Sequence, residues 1–311
     1  MTKIGIIGQQ NDEEVIQLKK EIKKLGGTPI IIDFKEFPKK EKLTITEKSI
    51  KFNNLELLTI PAFYLRQLGY FWPIPQIELT KAQWMKYYKK YNENLIDERE
   101  NLSVKHSMIR ILSMETFLVN PYECFMYHRL KPLQFYLLAK NGFKIPLFLS
   151  TSDPAEMQRF IKKQSSVCKP NAGGAEVKTS EDFIKENDGI ITRRALLFQK
   201  RIIGRDIRAF ATSDEFIGAA EIIHGPQIDY RVETKDVKPI TLPEEIKERT
   251  LQAMETLNLR FSGVDYIYDT QEDQYYLLEC NPSPMFYVFE KISRINVSKK
   301  LAGYLLKNAK R

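Results

Sequence analysis

The sequence predicts an α/β domain followed by an α+β domain with a mainly antiparallel sheet. Three observations carry this reading. The first 60 residues read as a strand–helix–strand unit. A long helical stretch follows, Thr80 to Met114. From Ser165 onward, short strands alternate with turns around one good helix, Pro243–Leu257. A chain of 311 residues is long enough for two such cores. The boundary between them is expected near residues 115–121.

Each element has a local cause. Lys3-Ile4-Gly5-Ile6-Ile7 is a short β-rich run. Asp12 to Leu25 places Val15, Ile16, Leu18, Ile22 and Leu25 at helical spacing, and Gly26-Gly27 stops that helix with residues that tolerate positive φ. Pro29 to Asp33 is the next buried strand, and Asn53-Asn54 reads as a hairpin turn. Only Gly5 and Gly8 occupy the first turn, so no dinucleotide fingerprint is present and an ordinary βα turn is expected. In the long helix, Trp84, Tyr87, Tyr88, Tyr91 and Leu95 form a stripe whose expected role is core packing. Leu118 to Pro121 reads as a strand entering a turn, Leu130–Asn141 as a helix ended by Gly142, and Pro146–Leu149 as a strand before a helix capped at Ser152-Asp153-Pro154. The later strands are Val167–Pro170, Leu196–Ile203, Asp206–Ala211, Phe216–Ile222, Ser262–Tyr268 and Tyr275–Cys280, with a weaker terminal helix at Leu301–Lys307.

Composition excludes several classes. Hydrophobic residues are 43% and charged residues 28%, the profile of a globular chain. Apolar runs such as Leu57–Leu65 fall far short of the ~20 residues that span a bilayer, and the first residues lack a signal-peptide pattern, so a cytoplasmic protein without membrane contact is expected. Three scattered cysteines, Cys124, Cys168 and Cys280, make neither a disulfide framework nor a thiolate metal site. The net charge of +8 favours anionic partners, unless it is simply a lysine-rich solvated surface. No zinc-finger spacing or RNA-binding aromatic signature occurs, so nucleic acid is not expected as a partner.

Three patterns carry chemistry. In Phe261–Ile267 a strand bears one acid, Asp265, and ten residues on Tyr275–Asn281 ends in Glu279-Cys280-Asn281. Side chains alternate along a strand, so Glu279 and Asn281 share a face, which Asp265 can reach from the paired strand. Two carboxylates and an amide oxygen form a hard-oxygen set suited to Mg²⁺, the alternative being polar residues on a wet sheet face. Lys169 precedes Asn171-Ala172-Gly173-Gly174-Ala175, where backbone N–H groups and an ammonium can approach phosphate; Lys131 is a second such contact. Finally, Gly204 separates two strands and Gly-x-Asp-x-Arg follows, with Asp206 and Arg208 on one face. Arg208 offers a permanently charged fork for phosphate or carboxylate, and an edge at Gln199–Ile202 can present backbone groups to an adenine ring.

In this order, these residues resemble the ATP-grasp superfamily over roughly residues 115–290. The pattern is closest to RimK-type glutamate ligases, and is also similar to the graspetide peptide maturases through Ile32–Pro38, Tyr64-Leu65-Arg66, Val119-Asn120-Pro121 and Asp229-Tyr230-Arg231. The resemblance implies an α/β preceding domain at 1–117, an ATP-grasp central subdomain at 118–198 and a C-terminal subdomain at 199–311, two antiparallel lobes clamping ATP. It implies that Lys131 and Lys169 contact the α- and β-phosphates and that Gln199, Lys200, Arg201 and Ile202 line the adenine pocket. Asp206 would sit near the ribose or a lysine, Arg208 would stabilise the transferring phosphoryl group, and Asp265, Glu279 and Asn281 would hold one or two Mg²⁺ ions, Mn²⁺ being an alternative. Arg231 would bind the substrate carboxylate. Two departures stand out: the glycine loop is short, and Pro282-Ser283-Pro284-Met285-Phe286 lacks the glycine common at this place, so Met285 and Phe286 either shape an acceptor pocket or simply pack.

The implied reaction is ATP-dependent joining of a carboxylate to an amine through an acyl phosphate. The three histidines, His106, His128 and His224, flank no nucleophile, so a histidine-based mechanism is not expected. The alternatives are a maturase that joins Asp or Glu side chains to Lys, Ser or Thr of an acidic precursor peptide, or a non-catalytic nucleotide-binding module. A homodimer is an open expectation. The three cysteines are expected to be buried spectators, with Cys280 pointing away from Glu279 and Asn281.

Overall fold

In a computed structural model of the chain, residues 1–68, 80–172, 176–186, 194–225 and 234–310 are described. Gly173, Gly174 and the Asp229-Tyr230-Arg231 stretch, including the expected substrate residue Arg231, lie outside the described residues. The chain divides into two units, Met1–Tyr122 with Ala302–Arg311, and Glu123–Leu301. The final ten residues thus group with the first unit, where 199–311 was expected to stay together.

The first unit opens with β1 (Lys3–Ile7), α1 (Glu13–Lys24) and β2 (Thr28–Ile32). Asp12 caps α1 by accepting from the Val15 N–H, and Gly26 follows at φ 82°. A small antiparallel meander follows, made of β3 (Leu43–Ile45), β4 (Ile50–Phe52) and β5 (Leu55–Glu56). Then come β6 (Ala62–Leu65), α2 (Lys81–Glu115) and β7 (Phe117–Val119). The main sheet runs β2-β1-β6-β7, all parallel. β6 lies in the apolar run Leu57–Leu65, which carries no alternation because a strand inside a parallel sheet is buried on both faces.

The aromatic stripe of α2 does not pack into a core. No described side chain from Lys81 to Val104 is buried, Trp84 is 39% and Tyr88 48% exposed, and the Trp84 ring instead meets those of Tyr88 and Tyr91 at tilts of 55° and 44°. Only the last turns of α2, through Met108, Ile109 and Leu112, enter the core.

A short turn, α3 (Tyr122–Phe125), leads into the second unit. Its elements are α4 (Lys131–Lys140), β8 (Phe148–Thr151), α5 (Pro154–Lys163), β9 (Ser166–Lys169), β10 (Lys178–Thr179), α6 (Ser180–Glu186) and β11 (Leu196–Lys200). They continue with β12 (Arg205–Thr212), β13 (Phe216–His224), β14 (Thr234–Ile240), α7 (Glu244–Thr256), β15 (Phe261–Asp269), β16 (Gln274–Asn281) and α8 (Tyr287–Ser293), and α9 (Val297–Asn308) then runs from this unit into the closing segment that groups with the first. Two antiparallel arrangements result: β10-β9-β11-β8 and β14-β13-β12-β15-β16. The strand read at Pro146–Leu149 lies at Phe148–Thr151, and the strand read to Ile203 ends at Lys200. β14, α6 and α8 had no clear sequence signal.

Each sheet packs one face on a core. In the larger sheet, Ile207, Ala209, Val264, Tyr266, Leu277 and Cys280 form one core with Leu138 of α4 and with Ala253, Met254 and Leu257 at α7. In the smaller sheet, Cys168, Leu196 and Phe198 pack with Met157 of α5. The opposite faces carry Lys169 and Gln199 in the smaller sheet and Asp206, Arg208, Asp265 and Glu279 in the larger, beside buried apolar residues such as Leu197 and Phe210. Phe286 is fully buried beside Phe261, so it packs, whereas Met285 is 59% exposed.

Gly204 joins β11 to β12 at a close approach. A Cβ there would lie 2.1 Å from the Tyr268 carbonyl oxygen, a backbone atom that cannot yield cheaply. Gly204→Ala should therefore lower the unfolding free energy by ~1–3 kcal/mol, as overpacking does. Urea denaturation checks this; wild-type stability would contradict the close approach.

Candidate active site

The site begins with cross-strand register. Arg208 on β12 lies opposite Asp265 on β15, which lies opposite Glu279 on β16. Directly paired residues project to the same face. Arg208, Asp265 and Glu279 therefore form one row across three strands, and Asp206, two residues before Arg208, joins that face.

Regular alternation alone would not build this row. Tyr266 pairs with Leu277, both on the core face, so strict alternation would send Glu279 into the core as well. The register shifts between Asp265 and Tyr266, leaving Leu278 as an extra residue on β16. This bulge turns Glu279 to the Asp265 side and Cys280 into the core opposite Val264. Asn281 pairs with Gly263, and its Oδ1 accepts from the Ser283 N–H at 3.0 Å.

The row is internally paired. Arg208 donates through Nε and Nη2 to the two oxygens of Asp265 at 2.6 and 2.7 Å, a bidentate fork. Lys131, at the start of α4, donates to Glu279 Oε2 at 2.5 Å. Asp265 is only 6% exposed, so removing Arg208 would strand a buried charge, a change that costs ~3–5 kcal/mol in comparable pairs. Burial works to raise the Glu279 carboxyl, but the Lys131 ammonium outweighs it by charge and hydrogen bond, with Lys169 and His128 adding. Glu279 is thus held well below the usual carboxylate range.

The smaller sheet contributes a second polar face. Lys169 pairs with Leu197, and Gln199 with Val167, so Lys169 and Gln199 share the side away from the core. Lys169 Nζ donates to Gln199 Oε1 at 2.7 Å. Burial, and then the neighbouring Lys131 ammonium, push Lys169 down to about 8, against the pull of Glu279, Asp265 and Asp206. The two sheets and α4 thus bring Lys131, Lys169, Arg208, Asp206, Asp265 and Glu279 within electrostatic reach of one another. The Gln199 amide nitrogen is buried and has no hydrogen-bond partner.

Beyond Gln199, the Lys200 N–H donates to the Leu147 carbonyl and the Arg201 N–H to the Ser165 carbonyl. Those two amides are spent on the fold, which leaves the Ile202 N–H as the amide in this stretch without a partner among the described residues. The side chain of Ile202 is buried, at 8% exposure.

Sequence reasoning missed two neighbours. His224 Nε2 lies 2.8 Å from Asp206 Oδ2, and Nδ1 lies 2.7 Å from the Gly225 carbonyl oxygen, so Nδ1 carries a hydrogen. Burial raises the Asp206 carboxyl while His224 pulls it down. Gln134 bonds both backbone polar groups of Cys280, and a lone glutamine in a helix gives no sequence signal for that. The cysteines are free and buried, with burial pushing the Cys124 and Cys168 thiols up to about 11 and 12. Burial keeps these thiols protonated and so disfavours the reactive thiolate.

Among the described residues no three His, Cys, Asp or Glu side chains cluster to hold a metal. The oxygen set Asp265, Glu279 and Asn281 includes an amide, and its two carboxylates are occupied by cations from this chain. Both signs of charge and an orphaned amide donor fit a magnesium–nucleotide complex, which itself carries both signs.

Residues 129–305 match the RimK-like ATP-grasp domain family over more than half of the chain. The chain belongs to the RimK-like ATP-grasp family. It is an ATP-grasp ligase by that membership, and its fold agrees. The tetrahydromethanopterin:α-L-glutamate ligase of Methanococcus maripaludis is 23% identical over 316 residues, 99% of both chains. The ligase of the same name from Methanocaldococcus jannaschii is 34% identical over 107 residues, 34% of this chain and 36% of that one. Among solved structures, the ATP-grasp ligase PsnB complexed with a minimal precursor, Mg and ADP superposes with TM-score 0.81 at 25% identity, covering 98% of this chain and 97% of that one. The macrocyclase MdnC of Microcystis aeruginosa, bound with precursor peptide MdnA, superposes with TM-score 0.76 at 18% identity over 98% and 100%, a likeness of fold. No helix among the described residues of this ATP-grasp ligase is long and apolar enough to cross a membrane.

Glu279 helps to hold the proton on Lys169. Glu279→Gln should therefore move the Lys169 titration midpoint further below about 8, as read by carbon-13 NMR of ε-labelled lysine. A midpoint at or above the wild-type value would contradict the arrangement.

Proposed function

We propose that this ligase uses ATP to activate a carboxylate as an acyl phosphate, which an amine then attacks to form an amide, with ADP and phosphate released. The observation that carries the proposal is the row Arg208–Asp265–Glu279–Lys131 with Lys169 facing it. Phosphoryl transfer depends on positioning and charge neutralisation more than on acid–base groups, and the site has little else to offer.

In this reading Lys131 and Lys169 take the α- and β-phosphates, releasing Glu279 and Gln199 from their present bonds. The freed Gln199 amide and the Ile202 N–H meet the adenine edge together with Lys200 and Arg201, and Asp206, steadied by His224, faces the ribose or Lys169. Asp265, Glu279 and Asn281 hold Mg²⁺, one ion or two, which neutralises phosphate charge when bound. Arg208 turns its fork from Asp265 toward the transferring phosphoryl group. Arg231 is assigned to the substrate carboxylate on the sequence motif alone.

A second reading has its own support. PsnB and MdnC superpose along the whole chain, and both are described with precursor peptides. A peptide maturase that links acidic side chains to Lys, Ser or Thr is consistent with that likeness and with a net charge of +8. A screen of ATP-dependent phosphate release against small acids, amines and acidic peptides, with mass spectrometry of the products, separates the two. Loss of one water equivalent within a peptide selects the maturase, and a new amide between two small molecules selects the simple ligase.

Arg208→Ala should slow phosphate release by about a hundredfold, corresponding to the ~3 kcal/mol typical of one preorganised charge-stabilising group, with ADP affinity little changed. Unchanged turnover in a steady-state phosphate assay would remove Arg208 from the reaction.

A further inference from the structure

β16 ends the larger sheet, so its outer rim of N–H and C=O groups has no strand beside it. Two donors on that rim are satisfied from elsewhere. The Leu277 N–H donates to the Lys144 carbonyl at 2.9 Å, and the Cys280 N–H donates to Gln134 Oε1 at 2.8 Å. In a regular strand, outward-facing residues recur every second position; here they are 277 and 280, three apart, which is the mark of the inserted Leu278.

Gln134 does more than accept one bond. Its Nε2 donates to the Cys280 carbonyl at 2.9 Å, so the carboxamide meets both backbone groups of Cys280 as a neighbouring peptide would. The side chain is 2% exposed, which keeps water from competing for these bonds. Gln134 stands one helical turn after Lys131, so α4 delivers both to β16, one to the side chain of Glu279 and one to the backbone of Cys280.

A bulged pair can slip by one residue, and a slip exchanges the two faces. The regular register would turn Glu279 and Asn281 toward the apolar side and bring Cys280 to the Asp265 side. Its outward-facing residue would be 279, and the two Gln134 bonds to Cys280 would be lost. We propose that Gln134 is a positioning residue that selects the bulged register, and so holds Glu279 and Asn281 beside Asp265. The proposal rests on the reading of those three side chains as the Mg²⁺–nucleotide site.

The test compares full-length Gln134→Met, Gln134→Glu, Glu279→Gln and Thr250→Val with wild type. Thr250 hydrogen-bonds Tyr266 in the same core and serves as the control for a purely structural loss. Calorimetry of ADP binding is run across a Mg²⁺ series and in EDTA. Gln134→Met should weaken Mg²⁺-dependent ADP binding at least tenfold, with binding in EDTA within twofold of wild type. Gln134→Glu, which keeps the acceptor but not the donor, should fall between, and Thr250→Val should lower Tm without moving either affinity. Wild-type Mg²⁺ dependence in Gln134→Met, alongside its loss in Glu279→Gln, overturns the Gln134 proposal alone. Wild-type dependence in Glu279→Gln overturns the site reading, and the Gln134 proposal with it. Hydrogen exchange on the unsubstituted chain adds a measurement that no folding defect can obscure. A Cys280 amide as slow as its core neighbours supports the register lock, and exchange at the rate of a bare sheet edge overturns it.

Discussion

Charge placed on a sheet face next to an apolar core has to be matched, and the rest of this site follows from how that matching is done. Arg208, Lys131 and Lys169 stand against Asp265, Glu279 and Asp206, so the described cations and carboxylates nearly cancel. Each side chain is held by a partner from another element: Arg208 on β12 by Asp265 on β15, Lys131 on α4 by Glu279 on β16, Lys169 on β9 by Gln199 on β11, and Asp206 on β12 by His224 on β13. The site therefore exists only when both sheets of the second unit and α4 are assembled. A nearly neutral, preorganised cluster also suits a ligand that brings both signs of charge, because phosphates and a divalent cation can exchange places with the internal partners.

Much of this was legible in the residues themselves. β1, α1, the β15–β16 hairpin and the placement of Lys169 at a strand end followed from periodicity and turn chemistry. The Glu-x-Asn spacing placed Glu279 and Asn281 on one face, and the register has them there. Other features depend on contacts that no local pattern encodes. The inserted Leu278 decides which face Glu279 takes, and an inserted leucine among Tyr, Leu and Cys is invisible to alternation. The salt bridge from Lys131 to Glu279 spans 148 positions in sequence. Gln134 acts through its carboxamide on backbone atoms, which leaves no complementary residue to find.

The misjudged elements share a cause. β6 was obscured because burial on two faces erases period-two patterning. The aromatic stripe of α2 was read as core because rings at helical spacing usually pack inward; here they satisfy one another on an exposed stretch of helix. In both cases the composition was right and the environment was set by tertiary structure.

The peptide-like grip of Gln134 on Cys280 has a consequence beyond the ligand. Exposed strand margins invite recruitment of foreign strands, the first step toward stacked aggregates. At Cys280 both recruiting groups are already occupied by a side chain that cannot itself be extended, and the Leu277 N–H is taken by the Lys144 carbonyl. At Cys280 a sixth strand could pair with β16 only by first displacing that carboxamide.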